Sequence, residues 1–212
     1  YESPTDSDTN REYVLIITAT DDGLGNLTDT QTLTITVTDV NEAPVITSAS
    51  SASFAENSTS AVTTVTSTDV DAGDTATYSK SGADADNFTI NSSTGELTFV
   101  SAPDYEIPAD IGEDNIYIVD VVVTDSGSLT DTQTLTITVT DVNEAPTDIS
   151  LSSESVYENE SSGTTVGALS STDVDAGDSH TYTLESGGAD NSSFQISGST
   201  LQTNALFDFE TK

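Results

Sequence analysis

Carboxylates dominate the chemistry open to this sequence, and they recur at fixed places. They are Glu56, the pair Asp69 and Asp71, the pair Asp104 and Glu106, Asp125 within Thr124-Asp125-Ser126, and Asp141-Val142-Asn143-Glu144-Ala145-Pro146. The elements come round again as Glu158, Asp173 with Asp175, and Asp208 with Glu210, and the last segment has an earlier copy over residues 39 to 44. In a seven-stranded sandwich the chain runs from pole to pole, which sorts these elements into two sets. Glu56, Asp104 and Glu106 are expected at the pole facing the next repeat, and Asp69, Asp71 and Asp125 at the pole facing the previous one. Each acidic linker then runs between two carboxylate sets. Without a cation such a gathering costs several kcal/mol of mutual repulsion, even at intermediate dielectric. Hard oxygen ligands, about six to eight per ion, are what calcium takes, whereas magnesium keeps its waters. Calcium is therefore the expected cofactor.

The elements that must position these groups are repeated too. Residues 27 to 44, LTDTQTLTITVTDVNEAP, recur letter for letter at 129 to 146, a period of 102. Self-similarity at that spacing means an array of whole domains, since solenoid units are shorter than about 50 residues. The organisation read from it is the last part of one repeat over 1–44, a complete repeat over 45–146, and the first two thirds of a third over 147–212. Tyr1-Glu2-Ser3-Pro4 aligns with Tyr105-Glu106-Ile107-Pro108, and that with Phe209-Glu210-Thr211-Lys212. The expectation is either a window cut from a longer array or partial copies that complete each other between molecules.

Along the chain the period is two. In 32–38 the residues Leu33, Ile35 and Val37 alternate with threonines, as do their twins Leu135, Ile137 and Val139, which is the pattern of a half-buried strand. Residues 117–123, matched by 13–17, read as a more central strand rich in β-branched residues. Asp125-Ser126-Gly127 and residues 21–26 supply the turns. Further strands are expected near 45–54, 61–67, 75–80, 87–91 and 96–100. About seven short strands per repeat predict an all-β chain of tandem Greek-key, immunoglobulin-like sandwiches joined end to end.

Composition narrows the function. There are 37 acidic residues against three basic ones (Arg11, Lys80 and Lys212), and the net charge of −34 excludes nucleic acid as a main partner. Anionic lipid would repel it as well, and no apolar run approaches the roughly 20 residues that cross a bilayer. Without cysteine there is no disulfide framework or thiol chemistry. The absence of methionine suggests a processed or excised segment, with targeting information outside these residues.

Three sharper readings fall away. Asp69 to Asp74 superficially suggests an EF-hand loop, but glycine stands at loop position five, and Lys80, or Leu184 in the third copy, stands where a bidentate Glu is needed. His180, the sole histidine, has Ala76 as its counterpart, so it is read as structural or surface-exposed. Paired carboxylates can serve glycoside hydrolysis, but on interdomain poles and engaged with cations they leave no expectation of an enzyme.

The motifs in order, namely Glu56-Asn57, Asp69/Asp71, Phe88-x-Ile90 with Thr94-Gly95-x-Leu97, Asp104/Glu106, Asp125 and the closing linker, resemble those of the cadherin repeat family. The resemblance covers essentially every part of the chain. It implies calcium at each linker, stiffening the array with ligands from both neighbouring repeats. Carried over, the first junction would use Glu2, Asp39, Asn41, Glu42, Asp69, Asp71 and Asp125. The second would use Glu56, Asp104, Glu106, Asp141, Asn143, Glu144, Asp173 and Asp175, with Asn41 and Asn143 binding through backbone carbonyls. The linker DVNEAP is one residue shorter than the family form, with Glu for the second Asp and no second Asn. Fewer than the family's usual three ions per junction, one or two, are expected, and such shortened linkers look like those of cadherin-like repeats in large bacterial surface proteins.

The function that follows is a calcium-rigidified, extracellular stalk or filament module in cell-surface adhesion. Its partners would be neighbouring repeats or copies of the same chain, and surface glycans or other cell-surface proteins. Two alternatives stand beside it. One is a filament subunit completed by strand donation between molecules; the other is a carbohydrate-binding module, for which exposed aromatic platforms are scarce.

Overall fold

The computed structural model describes residues 2–6 and 9–210. Tyr1, Thr211 and Lys212, which enter the end-to-end alignment above, lie outside the described residues, as do Ser7 and Asp8. The chain separates into two compact units, Tyr1–Asp141 and Val142–Lys212. Among the described residues no helix is long and apolar enough to cross a membrane.

The first unit opens with a hairpin of β1 (Glu12–Thr20) and β2 (Thr28–Thr36), paired antiparallel from Glu12↔Thr36 to Thr20↔Thr28. The middle repeat follows as β3 (Val45–Ile46), β4 (Ser51–Ala55), β5 (Ala61–Thr64), β6 (Ser67–Thr68), β7 (Thr77–Ser81), β8 (Phe88–Ile90), β9 (Glu96–Phe99), β10 (Ile116–Thr124) and β11 (Thr130–Thr140). One sheet has the order β4-β11-β10-β7; the others are β3-β6 and β5-β9-β8. Two strands expected as continuous are each broken. The stretch 45–54 pairs first with β6 and then, after 47–50, runs parallel to β11, and 61–67 divides between β9 and β3. The chain changes sheet within each stretch, so one strand at the edge of the otherwise antiparallel repeat is parallel.

The alternating residues meet in the core. Tyr117, Val119, Val121 and Val123 on β10, with Leu135, Ile137 and Val139 on β11, are buried. They share one core with Phe54 of the same sheet and with Val65, Phe88 and Leu97 from the rest of the repeat, and Phe99 packs on Phe88 with ring centroids 4.4 Å apart and edge-on to Tyr117 at 5.1 Å. The twin residues of the first hairpin fare differently: Ile35 is 52% and Val37 40% exposed. Strands that would close over that hairpin have no counterpart before it in this sequence.

Val142–Lys212 forms one sheet, β12 (Asp148–Leu151), β13 (Thr165–Thr172), β14 (Phe194–Ser197) and β15 (Thr200–Thr203), in the order β12-β13-β15-β14. Residues 153–157 and 181–185, counterparts of β4 and β7, form no strand here. In the middle repeat both lie against the β10–β11 hairpin, and this sequence holds no third copy of that hairpin to pair with them.

Candidate metal centre

Short turns at the ends of strands hold the acidic groups. Asp69 and Asp71 follow β6, with the Asp71 N–H donating to Asp69 Oδ1 at 3.0 Å. Asp125 closes the β10–β11 hairpin and accepts the Leu129 N–H at 2.7 Å. After β4 the chain must turn sharply; Asn57 takes φ +59° there, a left-handed conformation that asparagine tolerates better than most residues. That turn buries the Glu56 carboxylate, which accepts the Tyr105 N–H at 2.7 Å. The third copy repeats the turn at Asn159, φ +62°, with Glu158 accepting the Phe209 N–H at 3.1 Å.

Within Tyr1–Asp141, three groups of carboxylates each bring one oxygen per residue within 4.8 Å of the others: Glu2–Asp39–Asp71, Asp69–Asp74–Asp125 and Glu56–Glu106–Asp141. Oxygens bound to one calcium at about 2.4 Å lie up to about 5 Å apart, so each triad has the dimensions of a shared cation. Glu158, Asp208 and Glu210 make a similar triad in the second unit. Asp74, Glu158, Asp208 and Glu210 were not among the residues carried over by resemblance. The signal was present: Asp74 closes the repeated Ser67–Asp74 motif, and the other three are copies of Glu56, Asp104 and Glu106.

The linkers are tied to these groups directly. The Glu42 N–H donates to Asp71 Oδ2 at 2.8 Å, and in the second unit the Glu144 N–H donates to Asp175 Oδ2 at 2.7 Å. The Asn41 side-chain amide reaches Asp125 Oδ2 at 2.8 Å and the Glu42 carbonyl at 3.2 Å. It fits because residue 127 is glycine: a Cβ there would stand 2.4 Å from Asn41 Oδ1. Asn143 turns its amide to the Glu144 carbonyl at 2.9 Å. Asp104 folds back to accept the N–H groups of Glu106 and Ile107. Asp173 accepts from the Asp175 N–H and from His180 Nε2, the latter at 2.9 Å. His180 is thus bonded to one of the carboxylates singled out from the sequence.

Electrostatics mark the same places. Desolvation, then Asp71 and Glu2, push the Asp39 and Glu42 carboxyls above their ordinary values, whereas the His180 hydrogen bond holds Asp173 below its own. Asp69 Oδ2, Asp71 Oδ1, Asp74 Oδ2 and Asp175 Oδ1 are buried with no hydrogen-bond partner. Two buried acids away from these places are satisfied by backbone: Asp84 accepts the Ile111 and Ile118 N–H groups, and Asp110 those of Asp114 and Asn115. Buried acceptors without donors are costly. A divalent cation would supply what these four oxygens lack, and the all-oxygen donor set suits a hard ion.

A β-sandwich with acid-lined poles and short acidic linkers defines a class of tandem module whose carboxylate groups have the dimensions to hold a cation. The cadherin domain family model matches residues 50–140, which lie within the middle repeat. No curated protein matches it. Among solved structures, extracellular cadherin domains 1–4 of protocadherin gamma B7 share 29% identity over 97% of this chain and 52% of that one, with a TM-score of 0.61. The protocadherin gamma B4 extracellular domain shares 29% over 96% of this chain and 33% of that one, at 0.63. Mouse cadherin-23 EC22-24, at 24% identity over 97% and 68%, with a TM-score of 0.59, shows the fold alone. The chain thus spans about half the length of the first of these structures and a third of the second. Cadherin repeats are a non-enzymatic adhesion family, which fits a chain whose acids gather at poles and linkers.

Proposed function

We propose that this chain is part of an extracellular adhesion array in which calcium, held by the acidic sets at each linker, makes neighbouring sandwiches stiff. One observation carries the reading: buried carboxylate oxygens of Asp69, Asp71 and Asp74 have no protein donor, at the pole where the linker amide of Glu42 is bound to Asp71. When bound, the ion supplies positive charge shared among oxygens that otherwise repel. Glu2, Asp39 and Asp71 offer one set of ligands, and Asp69, Asp74 and Asp125 another. Asn41 and Glu42 fix the linker against the middle repeat through their own hydrogen bonds. By identity of its linker, the second junction draws on Glu56, Asp104, Glu106 and Asp141 from one repeat and Asn143, Glu144, Asp173 and Asp175 from the next. The array acts as a stalk or filament at the cell surface, its partners neighbouring repeats or further copies.

Affinity on the order of 0.1 to 1 mM, usual for extracellular modules, loads such sites outside a cell and empties them inside. Hydrogen exchange in the linker peptide 39–44, followed through a calcium titration, tests the reading. Protection should rise with calcium and fall on adding chelator. Exchange that is the same in both conditions would remove calcium from the mechanism.

A further inference from the structure

The Asp-x-Asp turns of the middle and third repeats are alike except at one oxygen. In both, the second Asp donates its N–H to the first (3.0 Å at Asp71, 3.3 Å at Asp175), and in both its Oδ2 accepts a linker N–H while its Oδ1 is buried without a partner. In both, the serine two residues before the first Asp bonds the equivalent tyrosine, Ser67 to Tyr78 at 3.0 Å and Ser171 to Tyr182 at 2.8 Å. These bonds therefore match between the two turns, although the Asp125 that stands beside Asp69 has no counterpart beside Asp173 among the described residues.

The difference lies at Oδ2 of the first Asp. On Asp69 it is buried without a donor, beside a small cavity of about 90 Å³ lined by Pro44, Ser67, Asp69, Asp74, Ala76 and Asp125. On Asp173 it meets His180 Nε2 at 2.9 Å, with the imidazole only 21% and the carboxylate 6% exposed. His180 stands where the middle repeat has Ala76. A carboxylate can only accept, so Nε2 carries the proton of this bond.

We propose that His180 competes with the cation for Asp173, grading the calcium affinity along the array so that the third repeat's ligand set binds more weakly than the middle repeat's. This inference rests on the calcium reading above. Asp173 Oδ1 is already engaged by the Asp175 amide, so a second metal-binding oxygen becomes free only when the His180 bond is given up. A hydrogen bond to a charged group is worth about a tenfold change in affinity or more. Ala76 imposes no such cost on Asp69. In calcium-free protein the same bond gives Asp173 the donor that Asp69 lacks, so His180 acts with opposite sign on stability and on affinity.

The test is calorimetric calcium titration of the whole chain, with thermal melts in chelator, for wild type, His180→Ala and Ala76→His. His180→Ala should tighten the weaker class of sites about tenfold while lowering the melting temperature in chelator; Ala76→His should weaken the tighter class. A purely structural histidine would lower stability and leave affinity unchanged or weaker, and that result overturns the inference while calcium binding itself survives. If wild type takes up no calcium at all, the reading of the junctions fails and the inference falls with it. Since His180→Ala only removes atoms from a partly exposed position, its affinity remains measurable even if Ala76→His does not fold.

Discussion

Asp74→Asn separates a cation site from a solvated acidic turn, because the two cases give opposite signs. Asp74 Oδ1 accepts the Ser126 hydroxyl at 2.6 Å, Oδ2 is buried without a partner, and a carboxylate oxygen of the residue lies within 4.8 Å of one each from Asp69 and Asp125. Asparagine keeps the acceptor for Ser126 and turns the orphaned oxygen into an N–H donor facing two carboxylates. Each like-charge pair at that separation costs about 1 kcal/mol in water-like surroundings and about 3.5 kcal/mol at an effective dielectric of 20. The pole is partly open to solvent, so the lower value applies, and removing two pairs relieves about 2 kcal/mol. For a chain of this size that raises the Tm in chelator by about 4 to 8 °C. At about 10 mM calcium, a site with Kd of about 0.1 to 1 mM contributes about 1.4 to 2.7 kcal/mol. Losing one charged ligand, taken as about a tenfold weaker Kd, cuts that contribution by about 1 kcal/mol. The variant should therefore melt above wild type in chelator yet show a calcium-induced rise smaller by about 2 to 4 °C. Scanning calorimetry reads both. A variant less stable than wild type in chelator, with an undiminished calcium response, would refute the reasoning.

Gly127→Ala should push the Asn41 amide off Asp125, costing about 1 kcal/mol for the lost hydrogen bond, or about 2 to 4 °C in Tm; the loss should vanish in an Asn41→Ala background, because the bond is then already absent. A proton titration of carboxyl resonances checks the electrostatics. Asp39 and Glu42 have folded-state values raised above 3.8 and 4.5, so the stability they contribute is whole below those figures and is lost as pH rises through the raised ones. Without calcium both midpoints should lie above the ordinary range, and saturating calcium should bring them down; midpoints indifferent to calcium would contradict a shared cation.

The fold was legible where one face is buried along a whole strand, as in Tyr117 to Val123 and Leu135 to Val139. It was not legible where a strand changes partners, because the residues of 45–54 and 61–67 carry no mark of which sheet each half will join. Nor does local sequence settle burial: Ile35 and Ile137 sit in identical stretches, and only the second has a sheet to cover it. The site was read in the same uneven way. Asp69, Asp71 and Asp125 stand out by recurrence, whereas Asp74, which also recurs, sits at a loop position that belongs to no carboxylate pair in the sequence. The bond from His180 to Asp173 joins residues seven positions apart across a turn, a contact that no spacing rule for strands announces. Asp84 and Asp110 look like any other acid in the sequence. What distinguishes them from the site carboxylates is that backbone amides converge on them, which is a property of the folded loop.

The same linker bond in both units bears on the stiffness proposed above. Glu42 and Glu144 replace the second Asp of the family linker, yet each contributes its backbone N–H to the second Asp of an Asp-x-Asp turn, at 2.8 and 2.7 Å. A side chain is not needed for that bond, so substitution at this position leaves the register between linker and turn intact. Holding the linker in register before any cation arrives spends part of the ordering entropy in advance, and preorganised ligands bind more tightly for the same contacts. A linker shortened by one residue has fewer oxygens to offer, and under the proposed function preorganisation would let a smaller ligand set still reach the affinity of extracellular modules. The remaining buried oxygens, Asp71 Oδ1 and Asp175 Oδ1, lie beside these bonds with no donor of their own. The backbone thus fixes the second carboxylate of each Asp-x-Asp turn by one oxygen and leaves the other open to a cation, and in the third repeat His180 makes a further claim, on Asp173.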